Sequence, residues 1–183
     1  MTRAHLVGGW PIDVVVRPGI ARILSGAEVA RVVARALEAA GAPRAATLSV
    51  VLTDDEELVE LNETHLGHDG PTDVLSFPLL PPEAFPPHPG GTASPVAASA
   101  PFVLPPRART HLGDIAVSVE RAIAQASEGR GGQTGDVRWD AAQELRLLLT
   151  HGALHMCGWD HAEPDEEAAM RALERQLLGG DSR

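Results

Sequence analysis

The stretch WDAAQELRLLLTHGALHMCGWDH (Trp139–His161) decides how the rest of the chain is read. Between Trp139 and Cys157 its apolar residues, among them Leu145, Leu147, Leu148, Leu149, Ala153 and Leu154, fall on most sides of a helix, which predicts a helix buried in the core. His151 and His155 lie four positions apart on it, so they share a face one turn apart and can aim imidazole nitrogens at one point. A helix continued to His161 would carry that residue about 9 Å further along the axis, far beyond the roughly 2 Å bonds of zinc. The chain must turn back, and Gly158 is placed to let it.

His151, His155 and His161 are therefore the expected ligands of one zinc ion at the end of a buried helix. Three protein ligands leave one coordination position for water, the arrangement of a catalytic rather than a structural zinc, and zinc lowers the pKa of a bound water to about 7. Asp160 is an alternative fourth ligand but reads better as a turn former. Cys157, two residues past His155, points off the metal face. The spacing H-x-x-x-H-x-x-G-x-x-H is shared with metzincin proteases, whose second position is a glutamate acting as general base. Here that position is Gly152, so the spacing does not bring peptide hydrolysis with it. A glycine in mid-helix costs about 1 kcal/mol relative to alanine, which points to close packing or to room for a ligand.

Working outward, IDVVV (Ile12–Val16) predicts a strand. Ser25 with Glu28 forms a capping box opening a helix that ends at Gly41. TLSVVL (Thr47–Leu52) predicts the next strand, and Thr53 with Glu56 a second capping box, opening a short acidic helix to about Asn62. VLSF (Val74–Phe77) and LGDIAVSV (Leu112–Val119) predict two more strands, the latter running into a helix over Glu120–Ala126. A last helix starts at Pro164, carries acids in its first turn, buries Met170, Leu173 and Leu177 and ends at Gly179. The expected fold is α/β (α+β): a single domain over residues 1–183, with a small four-stranded mixed sheet packed with helices. Residues 78–109 hold ten of the fifteen prolines, which cannot donate to a ladder and disfavour helix, so this segment is expected to be an extended, mobile insertion.

At 183 residues, 44% apolar and 22% charged, the composition is that of an ordinary globular protein. No apolar run is long enough to span a membrane, and the N-terminal stretch lacks the apolar core and cleavage site of a secretory signal, so no membrane partner and a cytoplasmic location are expected. One cysteine forbids an intramolecular disulfide. The net charge of −10 argues against strong intrinsic affinity for a polyanion. Its distribution tempers this: residues 1–50 hold six arginines against three acids, while residues 51–98 hold nine acids and no base. All fifteen bases are arginine.

HGALHMCGWDH (His151–His161), GPTDVLSFP (Gly70–Pro78), LGDIAVS (Leu112–Ser118) and LNETHLGHDG (Leu61–Gly70) come in the order found in the YbeY family of metal-dependent endoribonucleases, which the chain resembles from about residue 45 onward. The resemblance implies a single-strand-specific, zinc-dependent endoribonuclease that matures the 3′ end of small-subunit (16S) rRNA and serves ribosome quality control. It implies single-stranded RNA or rRNA as substrate, the small subunit or a ribosomal protein as partner, and His151, His155 and His161 as zinc ligands. It also implies that TDVLSF and LGDI line the cleft, bringing Asp73, Ser76 and Asp114 near the metal. Where the family carries an arginine before the glycine of its LNxxxRG segment, this chain has Leu66, so no guanidinium stands there to hold a phosphate; His65 and His68 are the neighbouring candidates to replace it. The long proline-rich insertion is the second departure. Two other readings remain open: a ribosome-associated assembly factor whose metal is mainly structural, and another zinc hydrolase, of which a protease is disfavoured by Gly152.

Overall fold

The computed structural model describes residues 2–44, 46–67, 70–89, 109–129 and 139–179. Strands β1 (Thr2–Val7), β2 (Trp10–Val16), β3 (Ala46–Thr53), β4 (Val74–Pro78) and β5 (Thr110–Ser118) form one mixed sheet in the order β1-β2-β3-β5-β4. β2, β3 and β5 run parallel, and the edge strands β1 and β4 are antiparallel to their neighbours. Five helices complete the fold: α1 (Gly26–Ala39), α2 (Asp55–Leu66), α3 (Val119–Glu128), α4 (Ala141–Met156) and α5 (Pro164–Gly179).

The sheet thus has five strands where the sequence predicted four. The addition, β1, pairs with β2 through a two-residue turn at Gly8 and Gly9, both with positive φ (60° and 95°). That is the backbone a tight hairpin demands and glycine supplies without strain. β1 carries no apolar alternation because most of its residues are exposed, so only the Gly-Gly signal marked it.

The capping box of Ser25 and Glu28 is present at the start of α1. α2 is capped one residue later than predicted: Asp54 accepts from the Glu57 amide at 2.9 Å, while Thr53 ends β3, fully buried. α2 also runs on to Leu66 rather than stopping near Asn62. A carboxylate at the N-cap complements the positive helix end, which explains why Asp54 prevails over Thr53.

The main core lies between the sheet and α1, α3 and α4, where Leu37, Leu48, Ile115, Leu145, Leu148 and Leu154 are essentially inaccessible. Burial of each such side chain contributes about 1.5–3 kcal/mol. A smaller cluster of Leu58, Leu75 and Ala116 seats α2 on the opposite face. α5 packs outside α4.

Of the proline-rich segment, residues 79–89 are mostly exposed but are anchored at two points. Pro82–Ala84 form a single 3-10 turn, Phe85 is buried, and the His88 ring stacks on Trp159 with centroids 4.3 Å apart. The rest of the expected insertion, residues 90–108, lies outside the described residues.

Candidate metal centre

α4 carries the centre because its sequence lets it sink into the core and then stop sharply. Asp140 and Gln143 cap its start reciprocally, and its flanks are buried from Leu145 to Met156. At its end the Gly158 amide donates to the His155 carbonyl at 3.1 Å and the Trp159 amide to the Leu154 carbonyl at 3.2 Å. This is the Schellman pattern, with Gly158 at φ 81° reversing the chain. A side chain at Gly158 would also meet Pro82 at 3.0 Å. The Asp160 carboxylate accepts from the His161 amide at 2.7 Å and so shapes the turn that returns His161 to the helix.

The result is a triangle of imidazoles. One ring nitrogen from each of His151, His155 and His161 lies within 4.8 Å of the other two. The Nε2 atoms of His151 and His155 stand 3.0 Å apart, against about 3.3 Å for two nitrogens on a tetrahedral zinc with bonds near 2.05 Å.

Their tautomers fit a cation. His151 Nδ1 donates to the buried Glu174 carboxylate at 2.7 Å, so in the neutral ring it is Nε2, facing His155, that carries the lone pair. Burial, with His151 and then His161 beside it, pushes the His155 imidazole down to about 4; Asp160 and a hydrogen bond to the Trp159 backbone oppose this. His155 is therefore neutral at pH 7 and a competent donor. A carboxylate behind a ligating histidine fixes ring orientation and raises basicity, the usual outer support of a metal site, and Glu174 is placed for that role. Cys157 is buried, with its thiol pushed up to about 12 by burial, and takes no part.

A cleft of about 370 Å³ opens on the triangle, lined by His151, His161, Asp73, Glu167, Arg171 and Glu174 among others. Of the described candidates that sequence suggested beside the histidines, Asp73 is the one that lines it; its Oδ2 accepts from Gln125 at 3.0 Å.

Ser76 faces α4, but its hydroxyl is spent on the Gly152 carbonyl at 2.9 Å, pinning helix to sheet. Asp114 is a correction. It lies across from Ser49 on the sheet face turned away from α4 and pairs with His111 at 3.3 Å. The cause is a bulge: the β3–β5 register shifts between Thr47 and Ser49, with Gly113 at φ 138°, so Leu112 and Ile115 both face the main core and Asp114 is turned outward. His65 also belongs elsewhere, edge-on to Phe77 on the α2 side. His68 lies outside the described residues.

Sequence reasoning missed Glu174 and Arg171. Neither carries a local motif, since both reach the cleft only because α5 folds back along α4; the one available signal was their i, i+3 spacing on a helix that follows the histidines.

Gly152 is explained by packing. A Cβ there would lie 2.9 Å from methyl carbons of both Ile115 and Val74 and 3.3 Å from the Ser76 hydroxyl. The position faces the sheet and not the cleft, so no glutamate at 152 could serve the metal.

A family model described as Endoribonuclease YbeY matches residues 22–180. A protein of that name from Roseiflexus castenholzii is 37% identical over 169 residues, covering 92% of this chain and 91% of the relative. Another, from Salinispora tropica, is 42% identical over 150 residues, covering 82% and 83%. The solution structure of TM1509 from Thermotoga maritima is similar at 19% identity and a TM-score of 0.48, over 91% of this chain and 90% of that one. With nearly the whole length matched and the three histidines inside the matched span, the chain belongs to the YbeY family of endoribonucleases.

Proposed function

We propose that this protein is a zinc-dependent endoribonuclease that cuts single-stranded RNA, acting in maturation of the 3′ end of 16S rRNA and in ribosome quality control. The observation that carries the reading is the convergence of His151, His155 and His161 beside an open cleft, with Glu174 buried behind His151. His151, His155 and His161 would hold the ion, with Glu174 orienting His151. When bound, zinc supplies Lewis acidity toward a phosphodiester and a nucleophile at neutral pH. The chain's own residues do the rest: Gly158 and Asp160 set the position of His161, Asp73 faces the cleft as a carboxylate, and Arg171 is the cleft's guanidinium.

The excess of acid over base implies recruitment of substrate through the small subunit or a ribosomal protein rather than by charge alone. No described helix is long and apolar enough to cross a membrane; the reading as an rRNA-processing enzyme places its action in the cytoplasm.

The test joins metal analysis of the purified protein to cleavage of a single-stranded RNA by the wild type and by His155→Ala. One zinc per chain and RNA cleavage, both lost in His155→Ala, is the expected result; a variant that keeps metal and activity overturns the assignment. A second reading, an assembly factor with a mainly structural metal, rests on Leu66 at the position of the family's arginine. Zinc-loaded wild type that leaves RNA intact, while Leu66→Arg cuts it, decides for that reading.

A further inference from the structure

Among the described residues the cleft is lined by three carboxylates, Asp73, Glu167 and Glu174, and one arginine, Arg171. A strand of RNA entering it carries one negative charge per nucleotide, so its path must run where that charge is offset. Among the described residues, one adjoining groove meets this need. Glu167 and Arg171 also line an adjoining groove of about 280 Å³ along α5, whose further wall is Arg175.

Arg171 and Arg175 are four apart on α5, so both project from the same side, one turn and about 5–6 Å from each other, a step close to the spacing of successive phosphates in an extended single strand. Both are exposed. Arg171 is held by Glu167 at 2.6 Å in a half-exposed pair, and Arg175 makes no ion pair among the described residues.

We propose that Arg171 and Arg175 form a phosphate track that leads single-stranded RNA from the histidine triangle along α5, with Arg171 taking the place of the guanidinium that Leu66 does not provide. The inference rests on the reading of the site as an RNA-cleaving centre and adds to it the direction of the strand and the residues that hold its backbone. Arg171 takes the phosphate nearest the histidines, because of the two arginines it is the one that lines both cavities; Arg175 takes the next one outward. Glu167 acts as a competitor: in the free protein it occupies the Arg171 fork, and an arriving phosphate, with a matching pair of oxygens, displaces it. An exposed ion pair of this kind is weak enough to exchange. The contacts are to the backbone, so the track confers affinity and register without sequence preference.

The test measures binding and cleavage separately. Binding of a fluorescent, cleavage-resistant 2′-O-methyl single strand to zinc-loaded full-length protein is followed by anisotropy over a salt series, for wild type, Arg171→Gln, Arg175→Gln and Glu167→Gln. Arg3→Gln on β1, at the opposite edge of the sheet from β4, removes the same charge and serves as control. Expected are a roughly fivefold loss of affinity for Arg171→Gln and for Arg175→Gln and a salt slope shallower by about 0.7 per arginine.

Glu167→Gln is expected to tighten binding a few-fold, and that gain to vanish in the Arg171→Gln background, which a mere change of net charge would not do. Far-ultraviolet circular dichroism confirms that each variant is folded. Cleavage of an unmodified strand by wild type is run alongside. Cleavage by wild type together with arginine variants that bind like Arg3→Gln overturns the track and leaves the nuclease reading standing. A zinc-loaded wild type that neither binds nor cuts RNA overturns both.

Discussion

Replacing Gly152 by alanine sets two effects of opposite sign against each other. In an exposed helix interior the change stabilises by about 1 kcal/mol, because alanine loses less backbone entropy. Here the added methyl would stand 2.9 Å from methyl carbons of Ile115 and Val74, where carbon contacts relax only at about 3.5–4.0 Å. Overpacking of this kind typically costs 1–3 kcal/mol. Relieving it means lifting α4 from the sheet, which stretches the 2.9 Å bond from the Ser76 hydroxyl to the Gly152 carbonyl, worth about 1 kcal/mol. The three effects leave Gly152→Ala less stable than wild type by about 1–3 kcal/mol, or a Tm about 3–9 °C lower for a chain of this size. Urea unfolding with unchanged m and a lower midpoint is the expected signature. Because His151 and His155 flank the same turn, zinc affinity falls with it. A variant as stable as wild type, or more so, would refute the argument: α4 would then have slack against the sheet, and the glycine would need another explanation.

Other outcomes follow from single contacts. Glu174→Ala removes the acceptor behind His151 Nδ1 and is expected to weaken zinc binding 10–100-fold, measured by competition with a chromophoric chelator; unchanged affinity would show that the carboxylate does not orient the ring. Gly113→Ala places a Cβ 2.1 Å from the Phe77 carbonyl oxygen at φ 138°, and is expected to destabilise by about 3 kcal/mol or more in a urea titration; a loss below about 1 kcal/mol would refute the bulge argument.

Hydrogen bonding from Arg17 holds the Glu57 carboxyl below its ordinary range, burial opposing and Thr53 assisting. A depressed folded-state pKa adds stability above the unfolded value, near 4.3, and loses it as pH falls through the lower folded value. Glu57→Gln is therefore less stable than wild type at pH 7, and the gap closes as pH drops below about 4; a gap independent of pH contradicts this.

What the chain reveals about itself follows the range of the interactions involved. Ser25 with Glu28 and the reversal at Gly158 are local, set by hydrogen bonds between residues three to five apart, and both were legible. So was the histidine triangle, because two ligands share a helix and the third is reached through one turn. Asp114 was misplaced because the face a strand residue adopts depends on register, and one extra residue at Gly113 reverses it. Glu174 and Arg171 were invisible because nothing near them in sequence records that α5 lies against the metal face of α4. The proximity is tertiary. Gly152 was half legible: its oddity in a helix could be seen, but the methyl groups of β4 and β5 that require it could not.

That packing also narrows the question of the proton. Position 152 points at the sheet, so a base must come from another wall of the cleft, where three carboxylates stand. Glu174 is bound to His151, and moving its charge would disturb the ligand it orients. Glu167 is paired with Arg171. Asp73 accepts through Oδ2 from the neutral Gln125 side chain, and its Oδ1 has no hydrogen-bond partner among the described residues. It stands neither behind a ligand nor, among the described residues, against a cation, and so is the carboxylate least committed to holding the site together. A general base contributes about 10²–10⁴ to rate, so Asp73→Asn, nearly isosteric and able to keep a contact with Gln125, is expected to lower kcat for RNA cleavage at least 100-fold, with zinc affinity and anisotropy-measured RNA binding unchanged. A kcat within a few-fold of wild type would return proton transfer to solvent and leave Asp73 as a wall of the cleft.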